Sequence, residues 1–210
     1  MESDKAVPTG GRRNVKRGQE RADRTRDLVI AETISCIREE GFAAASTRRI
    51  IERAGLTSGV IQYHFGTRDG LLTAVVDFAL ARLVSSIGEL TTSVEGVDDP
   101  DQRLRTLAQT AWSTFNSPAS MAALEILIAT RSIRDRLDVD NLEVLIPGLA
   151  RISQLVGDST HATAIGNLLW AAPVGLMVAE LVVQFPPPTQ PEQHAFAQLL
   201  IDHRHRGLPS

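Results

Sequence analysis

Residues 57–64, Thr-Ser-Gly-Val-Ile-Gln-Tyr-His, combine small, hydrogen-bonding and flat side chains in one short stretch. Thr57, Ser58, Gly59, Gln62, Tyr63 and His64 are the types that meet a polar surface edge-on, whereas Val60 and Ile61 point inward. Such a set works only on a rigid helix placed against its target, and the flanking residues supply that support. Ser46 is an N-cap for a helix over 47–54, with Ile50 and Ala54 on one face. Gly55 stops that helix, because glycine accepts the left-handed conformation of a C-cap. Thr57 is expected to be the next N-cap and Thr67 the one after it, with Arg68 in the first turn of a long helix. Two short helices around a tight turn form a helix-turn-helix, whose second helix enters a DNA major groove.

The match extends from Arg24-Thr25-Arg26 through Cys36-Ile37-Arg38-Glu39-Glu40-Gly41-Phe42 to Leu71-Leu72. Thr47, Ile50, Ala54-Gly55-Leu56, Gly59 and His64-Phe65 fall in register within it. On these residues the chain resembles the TetR family of one-component bacterial transcriptional regulators. Gln62 stands where that family usually has Tyr, and Arg68 where it usually has Lys. The resemblance implies that Thr47, Arg48, Thr57, Ser58, Gly59, Gln62, Tyr63, His64 and Arg68 touch DNA. The residue types suit those roles. Hydroxyls at helix N-termini favour phosphate oxygens. Arg48 can pair with guanine and Gln62 with adenine. Arg68 would act as an electrostatic clamp on the backbone.

Charge is unevenly spread. Residues 1–70 hold 13 Lys/Arg against 10 Asp/Glu, so a chain of net charge −3 is +3 there and −6 elsewhere. A basic N-terminal part suits a protein presenting one end to a polyanion. Residues 1–20, with scattered glycines and charges, are expected to be a disordered basic arm, with Arg12, Arg13, Lys16 and Arg17 able to reach a minor groove. Residues 21–68 form the expected helix-turn-helix domain, opening on a helix over 21–40 with Ile30, Ile34 and Ile37 on one face.

Residues 69–210 read as a helical ligand-binding and dimerisation domain. Leu72, Val75, Val76, Ala79, Leu80, Leu83 and Ile87 continue an apolar stripe. Asp99-Pro100 and Ser117-Pro118 are helix starts. A helix is expected over 141–156 with Pro147 kinking or resetting it. Residues 119–130 and 160–184 are almost wholly apolar helices. In the second, Leu168, Ala172, Gly175 and Ala179 recur at four-three-four spacing and form a candidate dimer seam. A last helix opens at Pro191-Glu192 with Phe196, Leu199 and Leu200 inward. Trp112, Phe115, Met121, Glu125, Asn167, Trp170 and Met177 are candidate lining for an apolar ligand pocket. No strand pattern is evident, so the fold class is all-α.

Other signals are weaker. The lone Cys36 sits in an apolar helical stretch and excludes an intrachain disulfide. Gly157-Asp158-Ser159 with His161 is better explained as a C-cap followed by an N-cap than as a nucleophile. His203 and His205 lack the partners a metal site needs. No catalytic set, cofactor or metal is expected. The first residues lack an apolar signal segment, so a cytoplasmic protein is expected. The combined reading is a homodimeric repressor released from operator DNA by a small, mainly apolar ligand. A small all-α enzyme using the C-terminal cavity is the alternative.

Overall fold

The computed structural model describes residues 10–132, 143–156, 161–183 and 189–206. All regular structure among them is helical: α1 (Gly10–Glu40), α2 (Thr47–Ala54), α3 (Gly59–Phe65), α4 (Arg68–Ser93), α5 (Pro100–Phe115), α6 (Pro118–Ala129), α7 (Leu145–Leu155), α8 (Ala162–Val182) and α9 (Thr189–Arg206). The chain divides into two units, Met1–Leu71 and Leu72–Ser210, with the boundary inside α4.

Local signals set most helix starts. The Ser46, Asp99 and Ser117 side chains accept from the backbone N–H of Arg49, Asp101 and Ser120. The Thr67 hydroxyl accepts from Gly70 N–H at 3.0 Å. Each satisfies a donor that a helix start leaves unpaired. Two starts differ from expectation. Ser58, not Thr57, is the residue before α3; its φ of −57° is already helical and its side chain makes no cap bond. Val60 N–H bonds Thr57 O at 3.1 Å, so Ser58 already lies inside the first turn. α1 begins at Gly10, so residues 10–20 are helical rather than disordered, and residues 1–9 lie outside the described residues. The 157–159 cap signal also lies outside them.

In the first unit, Val29, Ile30, Ile34, Cys36 and Ile37 of α1 are buried with Ala45, Ile50 and Ile61. Burial is the main reason the Cys36 thiol titrates above its ordinary value, which leaves it an inert core group. In the second unit one core joins Ile87 and Leu90 of α4, Leu107, Ala111 and Phe115 of α5, Ile152 of α7, and Leu169 and Met177 of α8. Asp101 at the start of α5 pairs with Arg204 and His205 at the end of α9. Arg105 and Gln109 share a groove with Gln193 to Gln198, so α5 and α9 run antiparallel. Pro147 lies in the first turn of α7, where a missing N–H costs nothing. Leu199 is 65% exposed and faces outward, contrary to expectation, while Leu200 is buried.

α4 and α8 are long and apolar enough to cross a membrane by length and composition. In α4 the stripe Leu72, Val75, Val76, Ala79 and Leu80 is buried. α8 buries Ile165, Leu169, Pro173 and Met177 but exposes Leu168, Val178, Leu181 and Val182. α7 meets α8 at Gly166, where a Cβ would lie 2.5 Å from the Ser153 Cα and 2.1 Å from its Oγ. Gly166→Ala should therefore destabilise by about 1–3 kcal/mol through overpacking. Gly88→Ala on α4, where a Cβ meets nothing within 4 Å, should instead stabilise by about 0.5–1 kcal/mol. Urea unfolding of the two variants checks the opposite signs.

Candidate nucleic-acid interface

α2 and α3 are joined by a turn whose geometry glycine permits. Gly55 has φ 65° and donates its N–H to Glu52 O, while Leu56 N–H reaches Ile51 O. Gly66 closes α3 with φ 72°. Both positions lie in the left-handed region that disfavours a Cβ. The buried Ile50 of α2 and Ile61 of α3 fix the inward faces of the two helices.

The opposite face of α3 is then determined. Gly59, Gln62 and Tyr63 follow helical spacing and are all exposed, with Thr57 and Ser58 exposed just before them. Tyr63 is 79% exposed, and its ring meets the His64 ring edge-on at 4.8 Å. His64 is half-buried. A Cβ at Gly59 would meet nothing within 4 Å, so this end of the helix is open. Thr47 at the start of α2 is half-buried and Arg48 exposed. These residues form a surface of hydroxyl, amide, phenol and imidazole groups without a formal charge on α3 itself.

The cations are placed differently from the hydrogen-bonding groups. Arg68 donates from Nε and Nη2 to Ala45 O, both at 3.2 Å, and its guanidinium lies 4.9 Å from the Phe42 ring centroid. It ties α4 to the α1–α2 turn rather than standing free. Arg48 pairs with Glu52 one turn on, at 2.9 Å, with 89% of its side chain exposed. Such an exposed pair is weak, so Arg48 can re-aim toward another partner.

Sequence reasoning missed the largest electrostatic feature of the unit. Glu40 at the end of α1 accepts from Arg49 Nε at 2.8 Å and Nη2 at 2.9 Å, and from Arg53 Nη1 at 2.7 Å. Arg53 also meets Glu39 at 3.0 Å and Glu32 at 3.4 Å. Its guanidinium pKa is raised by hydrogen bonds to Glu39 and Glu40. A signal was present in the sequence. Two adjacent glutamates end α1, where the helix dipole disfavours negative charge, and Arg49 and Arg53 sit four apart on the next helix.

The C-terminal candidates separate. Phe115, Met121 and Met177 are buried in the second unit's core cluster, and Trp170 packs against it. Trp112 is buried, with no acceptor for its Nε1–H among the described residues. Glu125 is half-buried and has a partner. Asn167 is exposed and accepts only a long contact from Trp170 Nε1, at 3.5 Å. Leu168 and Gly175 are exposed, and Ala172 and Ala179 are half-buried. The groove between α5 and α9 is lined by Arg105, Gln109, Gln193, His194, Ala195, Ala197 and Gln198. Sequence reasoning singled out none of these as a lining group.

Residues 29–75 match the family model for bacterial regulatory proteins of the tetR family. The chain is 31% identical over 125 residues to an HTH-type transcriptional regulator BetI of Stenotrophomonas maltophilia, covering 53% of this chain and 62% of that protein. To a BetI regulator of Yersinia pestis it is 31% identical over 84 residues, 40% of this chain and 42% of the other. The chain thus spans about half the length of the curated relatives it matches. Solved structures share the fold. A TetR transcription regulator from Haloarcula marismortui has TM-score 0.62 at 17% identity, covering 88% of this chain and 98% of that one. A transcriptional regulator from Rhodococcus has TM-score 0.63 at 22% identity, covering 84% and 94%.

Hydrogen bonds from Arg49, and then from Arg53, hold the Glu40 carboxyl below the usual carboxylate range. A lowered folded-state value means the contribution is complete above the ordinary range and is lost as pH falls through the folded value. Glu40→Gln should lower the melting temperature near neutral pH. The gap to wild type should close in acid, where the wild-type carboxyl is protonated too. Melting curves of both proteins between pH 7 and strongly acidic buffer check this.

Proposed function

Because this chain belongs to the TetR family of bacterial transcriptional regulators, we propose that it is a homodimeric repressor whose operator binding is relieved by a small molecule. The N-terminal unit reads DNA, and the C-terminal unit binds the effector and joins two copies. The observation that carries the reading is the exposed Gly59, Gln62 and Tyr63 face of α3, mounted on a turn that glycine caps fix in place. Thr47, Thr57 and Ser58 are proposed to meet phosphates, Arg48 and Gln62 to read base edges, and Tyr63 and His64 to touch the backbone or a thymine methyl. Arg68 is proposed to hold the α1–α2 turn while presenting its remaining N–H groups to a phosphate.

The effector is proposed to enter the second unit near Trp112, Phe115, Met121, Trp170 and Met177. Trp112 supports this, since a buried indole N–H without an acceptor costs about 1–3 kcal/mol unless something satisfies it. A mainly apolar effector carrying one hydrogen-bond acceptor fits that donor. Release then follows from a population shift, with the effector binding better to dimers whose two recognition helices no longer match successive major grooves. The family match favours this reading over the small all-α enzyme.

The face Leu168, Ala172, Gly175, Ala179 and Val182 of α8 is proposed as the dimer seam. It lies apart from the buried face of the same helix and leaves Val182 78% exposed in a single chain. A symmetric pair buries one such patch on both copies.

Selection of bound fragments from genomic DNA tests the regulator reading, which fails if no fragment is preferred over bulk DNA at moderate salt. With a selected fragment, Gln62→Ala should relax base preference at one position per half-site by about 1–3 kcal/mol. Tyr63→Ala should weaken binding while changing folding stability by no more than about 0.5 kcal/mol, as expected for so exposed a residue.

The seam has its own test. A Cβ at Gly175 meets nothing within 4 Å inside one chain, so Gly175→Trp should preserve helix content but give a single-chain mass in light scattering. A wild-type protein of single-chain mass with DNA binding intact would refute the dimer.

A further inference from the structure

The first unit spends most of its arginines on itself. Arg49 and Arg53 are held by Glu40, Glu39 and Glu32. Arg48 is paired with Glu52, and Arg68 is bonded to Ala45 O. The α3 helix carries no Lys or Arg. A protein that binds duplex DNA needs several cations on phosphates, because release of their counter-ions supplies most of the sequence-independent affinity. The reading face alone is short of them.

The missing cations lie on α1. Lys16, Arg17 and Arg21 are exposed and make no ion pair among the described residues. Arg17 and Arg21 are four apart, and Arg24 lies three further on, so the three share one stripe. Lys16 opens a neighbouring stripe that continues with the acidic residues Glu20, Asp23 and Asp27 at the same kind of spacing. From residue 16 to residue 28 nothing is buried. A helix polar all round has no core to rest on and needs another reason for its position.

Its position relative to α3 is fixed. The Arg26 guanidinium lies 5.6 Å from the Phe65 ring centroid, so α1 passes the end of the reading helix at that point. From Arg26 back to Gly10 is about 24 Å of helix at 1.5 Å per residue, equal to the rise of about seven phosphates of one strand measured along the duplex axis. The segment thus starts beside α3 and extends away from the buried core of the same unit. It has no apolar face, which excludes insertion in a membrane surface.

We propose that the N-terminal part of α1 is a second DNA-contact element, a rigid helix that lies along the phosphate backbone flanking each half-site through Lys16, Arg17 and Arg21. It supplies affinity and salt dependence, not base readout, and so divides labour with the uncharged α3. The proposal rests on the DNA-binding reading but not on the effector or the dimer seam.

The test uses the full chain and a fragment selected from genomic DNA, prepared in two forms. One is trimmed to the protected half-sites and the other carries a full helical turn of DNA on each side. The triple variant Lys16→Ala, Arg17→Ala, Arg21→Ala keeps good helix formers on an exposed surface, so its fold is preserved. The slope of log K against log salt on the long duplex should become shallower by up to about 2.7, at about 0.9 for each phosphate that a cation no longer neutralises. Wild type and variant should bind the trimmed duplex more nearly alike, and the base preference should not move. Equal slopes and equal affinities of the two proteins on the long duplex would overturn the proposal. A changed base preference would overturn it too, since the segment would then read a groove. Wild-type protein that prefers no fragment at all would overturn the DNA-binding reading and this proposal with it.

Discussion

The Glu40 carboxylate sits where helix electrostatics oppose it, at the negative end of α1. It stays ionised because Arg49 and Arg53 reach back from α2 to hold it. This two-helix clamp sets the angle of α2, and α2 sets α3 through the glycine turn at Gly55. A shift in the clamp would move every side chain of the reading face together. The clamp also has a cost in function. Arg49 and Arg53 are committed to that carboxylate and are not free for another anion. An uncharged reading helix is the complement of that arrangement. In the proposed function Gln62 would discriminate by hydrogen-bond pattern, which depends little on salt, whereas cations bind any sequence alike.

The features legible in the sequence are those with local causes. Ser46, Thr67, Asp99 and Ser117 announce helix starts through their own side chains, and each makes the expected bond. Gly55 announces its turn because few other residues accept φ 65°. The exposed face of α3 is legible for a related reason, since alternation of Val60 and Ile61 with polar neighbours fixes which side turns inward. Thr57 misleads because Thr57-Ser58 offers two caps in succession, and the turn before them decides. The ion-pair cluster is not legible as a unit. It joins residues as far apart as Glu32 and Arg53, and pairing at that separation is a property of how α1 and α2 pack.

Composition misleads at the N-terminus for a physical reason. Glycine and scattered charges lower helix propensity at residues 10–20, but propensity is a weak prior that attachment to a stable helix overrides. Nucleation is the costly step, and α1 is already nucleated by its buried half from Val29 to Ile37. Extension toward the N-terminus then adds one hydrogen bond per residue fixed. Leu199 errs in the opposite direction. An apolar residue beside Leu200 reads as core, yet one helix position turns a side chain by about 100 degrees, and only Leu200 faces the packed side.

α8 shows what one chain leaves unfinished. Its residues are so uniformly apolar that periodicity cannot say which face is the core, and only packing separates the two. α7 takes the face containing Gly166, where Ser153 approaches closely enough to forbid a Cβ. Leu169 and Met177 lie on that same face and join the core. The remaining face is lined by Leu168, Gly175 and Val182, all exposed. Burying a Leu or Val side chain is worth about 1.5–3 kcal/mol, so leaving several in water is a penalty that folding of one chain does not recover. The small residues Ala172, Gly175 and Ala179 at the centre of this face would let a second helix approach closely. A helix apolar on every side is stable in water only when every side is covered, and within a single chain the covered face is the one that carries Gly166, Leu169 and Met177.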